Sequence, residues 1–150
     1  MHRIDIIWNV YLEDSLKSTT REIRGRGIRR RVAPLNTIPG NWQELLRLPE
    51  NKTELFNFLA QQAIENLSCE KEVYSTYGQN VMCSRIHQDI SSLAPCTHEE
   101  ADTRMLLHAV DSANKGYQRI MLHTMDTGAA LLQHTKRAKY QGAHVWGTDS

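Results

Sequence analysis

The sequence predicts an α/β fold with a mostly parallel central sheet. Three observations carry that expectation. Residues 4 to 11, IDIIWNVY, are a run of β-branched and aromatic side chains, the composition of a buried strand. From Asn51, NKTELFNFLAQQAIENL sets Leu55, Phe56, Leu59, Ile64 and Leu67 near helical spacing, which makes an amphipathic helix in need of a partner surface. The last third then alternates helix, strand, helix and strand with short turns, the pattern of parallel α/β units.

Between these landmarks the elements follow from local chemistry. EDSLKSTTREIRGRGIRRR offers a helix cap at Asp14 or Ser15 and ends in two glycines, so a helix is predicted there. VAPLNTIPGNW holds an X-Pro break and a Pro-Gly turn and reads as a connector. KEVYST and NVMCSRI are short strands separated by Tyr77-Gly78-Gln79, with the loop SSLAP after them. Thr97 with Glu100 three residues on is a capping-box signature, Leu106, Val110 and Ala113 make an apolar face, and Gly116 stops the helix. RIMLHT is a strand ending at Met125 and Asp126, TGAALLQHTKRAKYQG is a helix ended by Gly142, and AHVWG is a further strand. Ligands of such sheets bind beyond the carboxyl ends of the strands, where Asp126 falls.

A chain of 150 residues, 40% hydrophobic and 23% charged, is long enough for one domain with its own core. A net charge of +1 gives no global attraction to a polyanion. No run reaches the roughly 20 apolar residues of a membrane span, and MHRIDIIWNVYLED is too polar for a signal peptide. The expectation is an intracellular chain without a membrane partner. Cys69, Cys83 and Cys96 form no CxxC pair, so they read as reduced thiols with no disulfide-linked partner.

Two constellations could carry chemistry. The first is THEEADTR, positions 97 to 104, which places Glu99, Glu100 and Asp102 ahead of an apolar run. Acids in a first helical turn are stabilised by the helix dipole, so a helix start alone explains them. A metal site explains them too: if the strand ending at Asp126 lies beside this helix start, carboxylates converge without an intervening Lys. Converging carboxylates raise one another's pKa unless a cation is present. Mg²⁺ or Mn²⁺ suits such oxygen ligands, and two ions roughly 4 Å apart can drive phosphodiester cleavage. The second is a basic patch of Arg21, Arg24, Arg26, Arg29, Arg30 and Arg31, with Lys17 just before it. It reads as a solvated helix face, as a phosphate grip for DNA or RNA, or as a nuclear-import address. His98, His108, His123 and His134 share no spacing that makes a zinc site, and Trp8 and Trp146 read as core. Trp42 and Tyr77, near loops, are the better base-stacking candidates.

The arrangement AP(x)3EEADTR, followed by a glycine helix stop and TxDT, resembles the core of flap endonuclease and XPG-type nucleases of the PIN-like superfamily. IIWNVYLEDSLKSTTREIRGRG is similar to that family's second motif, a hydrophobic strand followed by Leu-Lys and a basic helix. A closer likeness is to multicopy, transposon-like open reading frames of animal genomes, in which HEEADTR recurs with DTD. The resemblance implies a partial PIN-like, Rossmann-like three-layer domain over residues 1–150, with 31–95 a family-specific insertion or connecting region. It assigns Glu100, Asp102 and Asp126 as catalytic and metal-binding acids for Mg²⁺ or Mn²⁺. Asn9 stands where the strand-ending acid belongs and Gly128 where the second acid of Asp-x-Asp belongs, so the expected enzyme is degenerate. Alternatives are a non-catalytic nucleic-acid-binding module built on the patch, an open reading frame without a selected role, and an unrelated α/β domain with a small-molecule pocket. No Gly-rich phosphate loop or nucleophile elbow supports the last.

Overall fold

β-Branched residues near the amino end draw Arg3–Ile6 into a strand, β1. It is shorter than the expected 4 to 11 because Trp8 leaves the ladder: its backbone N–H donates to Thr76 Oγ1 at 2.8 Å and its indole Nε1 to Ser75 Oγ at 3.2 Å. A computed structural model describes residues 2–11, 28–67, 71–123 and, as backbone, 144–147. The helices expected within 14–31 and 127–142 lie largely or wholly outside the described residues.

After β1 come a short helix α1 (Trp42–Leu45), the long helix α2 (Pro49–Leu67), strands β2 (Glu72–Tyr77) and β3 (Asn80–Cys83), helix α3 (Ala101–Asn114), and strands β4 (Arg119–Leu122) and β5 (His144–Gly147). The molecule is therefore mixed α/β. Helix α2 opens two residues earlier than expected, with Pro49 at its first position, where a missing N–H costs nothing.

β1 pairs β2 in parallel, β2 pairs β3 antiparallel, and β4 pairs β5 in parallel. The described strands thus make two sheets, β1-β2-β3 and β4-β5, where one central sheet was expected. β2 and β3 are joined by a turn in which Gly78 adopts φ +55°, a left-handed conformation that glycine enters without a Cβ clash. Tyr74, Val81 and Leu93 form the buried core, with Cys83, Ile90, Ala94 and Leu107 packed against it. Trp8 is stacked on Phe56 of α2, ring centroids 4.9 Å apart.

Two expected apolar faces are corrected. On α2, Leu59 and Leu67 face solvent, and the fully buried positions are Asn51 and Ala60. On α3, Leu106, Val110 and Ala113 are only half-buried, whereas Arg104, His108, Asp111 and Ser112 are buried. That helix buries a polar stripe, which is tolerable only where each group finds a partner. Its carboxyl end is as expected: Gly116 has φ +88°, its N–H reaches the Ala113 carbonyl, and Tyr117 N–H reaches the Ser112 carbonyl at 3.1 Å, the paired bonds of a Schellman cap. No helix among the described residues is long and apolar enough to cross a membrane.

Candidate functional site

The amino end of α3 is organised by β1 rather than by its own sequence. Val10 N–H donates to the Glu99 carbonyl at 2.9 Å, holding the approach to the helix extended. Glu100, with φ −78° and ψ 132°, is the residue before the first turn, and no side chain within the helix caps it. Instead Asn9 Oδ1 accepts the Ala101 N–H at 2.7 Å from 92 residues away. The capping box expected of Thr97 and Glu100 is therefore not formed. An orphan N–H needs one acceptor, and the chain supplies it from Asn9, three residues past the end of β1, instead.

Asn9, Glu100 and Asp102 are thus brought to one helix end. Asp126 and Gly128 lie outside the described residues. Among the described residues no three His, Cys, Asp or Glu side chains are grouped so as to hold a metal ion. Cys83 is half-buried and Cys96 buried, both free thiols, while Cys69 and His134 lie outside the described residues.

Of the basic patch, Arg29, Arg30 and Arg31 are described and exposed, and Lys17, Arg21, Arg24 and Arg26 are not described. Arg29 Nη1 is 2.8 Å from Glu54 Oε2, and this hydrogen bond, with one from Val32 N–H, holds the Glu54 carboxyl below its ordinary pKa. The segment is fixed by the buried amide of Asn51. Its Oδ1 accepts from Arg29 Nη1 at 2.9 Å and Arg30 N–H at 3.1 Å, and its Nδ2 donates to the Ile28 and Leu45 carbonyls, both at 2.9 Å.

The most developed polar cluster is one that the sequence reading missed. Arg3 on β1, its side chain 3% exposed, grips Asp5 with two bonds of 2.8 Å and reaches Asp111 Oδ2 on α3 at 2.6 Å. Its guanidinium lies over the Tyr74 ring, 3.9 Å from the centroid. Asp5 Oδ1 is 2.6 Å from His108 Nδ1. A carboxylate paired with Arg can only accept, so the imidazole proton sits on Nδ1 and the ring is oriented by Asp5. Asp111 also accepts from Ser92 Oγ at 2.6 Å and pairs with Lys115 at 3.1 Å. Nearby, Tyr74 and Tyr117 both donate to the Glu72 carboxylate, at 2.7 and 2.9 Å.

Comparison of the chain with family models, with characterised proteins and with solved structures returns no match. The site is therefore judged by its own geometry. Arg3, Asp5, His108 and Asp111 fasten β1 to α3, and a cleft of about 440 Å³ opens beside them between β1, α3 and β4. The signal in the sequence was Asp5 among Ile4, Ile6 and Ile7, together with Arg104, His108 and Asp111 at helical spacing.

Burial acts to raise the Asp111 pKa, but hydrogen bonds from Ser92, Arg3 and Lys115 outweigh it and hold the carboxyl below its ordinary value. For Tyr74, burial and then the bond to Glu72 push the phenol well above its ordinary pKa. The signs follow by linkage. A depressed carboxyl adds stability that is complete above the unfolded value of about 3.9 and is lost as pH falls through the folded value. A raised phenol adds stability that is complete below about 10 and is lost as pH rises further. Calorimetric melts between about pH 5 and 3 should show a falling Tm in the wild type and a flatter slope in Asp111→Asn. Equal slopes would remove Asp111 from the acid transition.

Proposed function

We propose that this chain is a PIN-like, three-layer domain of the flap endonuclease and XPG type whose metal site is depleted, so that it engages nucleic acid but cleaves it poorly or not at all. The observation that carries the reading is Asn9. It follows β1, meets the first turn of α3 beside Glu100 and Asp102, and spends its amide oxygen on the Ala101 N–H at 2.7 Å. At that position the resemblance expects an acid. An amide has no net charge, and an oxygen committed to a helix cap is a poor ligand for Mg²⁺ or Mn²⁺. Losing one carboxylate from a divalent-metal centre costs several kcal/mol of charge stabilisation in the transition state. In this reading Glu100, Asp102 and Asp126 remain as the acids that would hold such an ion. The exposed Arg29, Arg30 and Arg31 supply positive charge for a phosphate backbone.

Restoring the acid tests it. Asn9→Asp should raise Mn²⁺ affinity about tenfold or more by titration calorimetry, since roughly 1.4 kcal/mol separates each decade. The wild type should leave flap, nicked and single-stranded DNA uncut in Mn²⁺. Wild-type cleavage abolished by Asp126→Ala would overturn the depleted site. Unchanged Mn²⁺ affinity in Asn9→Asp would remove the metal reading.

A further inference from the structure

One buried amide holds two segments of the chain side by side. Asn51 Nδ2 donates to the Ile28 and Leu45 carbonyls, both at 2.9 Å, so the two oxygens lie within about 6 Å of each other. Oδ1 of the same side chain accepts the Arg30 N–H at 3.1 Å. Trp42 opens α1, about 4.5 Å along the axis from Leu45. The basic run and the short helix are therefore neighbours, although the connector separates them in sequence.

Together they present an aromatic face beside uncommitted charge. Trp42 is 53% exposed, and Arg30 and Arg31 are exposed. Glu54, the acid that meets this segment, is committed to Arg29 and the Val32 N–H. The ion pairs among the described residues include neither Arg30 nor Arg31. Arg47, exposed just past α1, adds a further cation. Residues 15–31 hold six arginines and one lysine against a single acid, Glu22. The stretch before Ile28 thus adds to the positive charge instead of neutralising it, and a second copy of the chain brings the same charge and is repelled. The complement of this surface is a polyanion.

Resting on the nucleic-acid reading above, we propose that this surface takes single-stranded nucleic acid: Arg30 and Arg31 hold phosphates, and the Trp42 indole stacks on an unpaired base. A guanidinium is a planar fork that matches phosphate oxygens, and contacts to the backbone carry no sequence information. The indole adds a different selection, because each base of a duplex is already covered by its neighbours in the stack. A single strand can turn a base out onto an aromatic face, and any base will serve. Affinity therefore comes from the arginines and the preference for single strands from Trp42. The site needs neither metal nor cleavage.

The probes are labelled oligothymidylate, oligouridylate and a DNA hairpin of equal charge. The better of the two single strands should bind the full chain at least about tenfold tighter than the hairpin does. Trp42→Ala should weaken single-strand binding about tenfold and leave the hairpin unchanged, and Trp42→Phe should restore most of the loss. Arg30→Ala, whose backbone N–H still serves Asn51, should weaken every probe and lower the salt slope by about one between roughly 50 and 200 mM salt. The proposal is overturned if Trp42→Ala binds both single strands as tightly as the wild type, or if the hairpin binds as tightly as they do. Hairpin binding that still falls in Arg30→Ala would then leave the nucleic-acid reading standing without this site. Failure of every probe to bind would overturn both.

Discussion

Asp5→Ala should destabilise the protein by about 3–5 kcal/mol, the range for removing one partner of a buried ion pair. Asp5 holds two bonds from Arg3 and the one from His108, so its loss leaves a buried guanidinium half-satisfied and an imidazole without its orienting acceptor. Arg3 keeps Asp111, which sets the expectation at the lower end of the range. At roughly 2–4 °C per kcal/mol for a chain of this size, Tm should fall by about 6 °C or more. The cost belongs to orphaned charge rather than to lost attraction, and a second variant separates the two. Arg3→Met combined with Asp5→Leu should cost clearly less than the sum of the single changes, because residues sharing a network couple. A thermal-melt cycle in which the two add would refute the network account.

Asn51→Ala should cost about 2–4 kcal/mol. The side chain is fully buried and makes four hydrogen bonds, two accepted and two donated. Alanine leaves the Leu45 and Ile28 carbonyls and the Arg30 N–H without this partner, and each buried orphan costs about 1–3 kcal/mol when water cannot replace it. Asn51→Asp separates acceptor from donor: it keeps the bonds from Arg29 and Arg30 but loses both donations, so it should fall between wild type and alanine. Urea melts ranking the three variants otherwise would show that Asn51 is not the clamp. The Arg29–Glu54 pair lies at the surface, and Glu54→Gln should change stability by less than about 1 kcal/mol.

What the sequence made legible was local. β-Branched runs located β1, β2, β4 and β5. Gly116 announced the end of α3, since a left-handed residue after a helix is nearly a glycine monopoly. The start of α3 was misread because its cap comes from Asn9, and no window around Thr97 contains that residue. The apolar face given to α3 failed for a related reason. Arg104, His108 and Asp111 look like solvent residues until Gly78, Asp5 and Arg3 are known to meet them. Hydrophobic periodicity finds buried carbon; it is blind to buried charge whose partner lies across the chain. At the candidate site, Asn9, Glu100 and Asp102 were placed together by resemblance, whereas the Asp5–His108 pair had only the weak signal of an acid within an apolar strand.

The bond between Arg3 and Asp111 spans 108 residues, and that separation sets a timetable for synthesis. On a ribosome adding roughly 5–20 residues per second, β1 emerges on the order of 5–20 s before the helix that neutralises its arginine. Until α3 arrives, Ile4, Ile6 and Ile7 have β2 as their nearest shelter, and β2 itself appears only after α2 has been made. The apolar side chains of β1 are therefore made well before the elements that cover them.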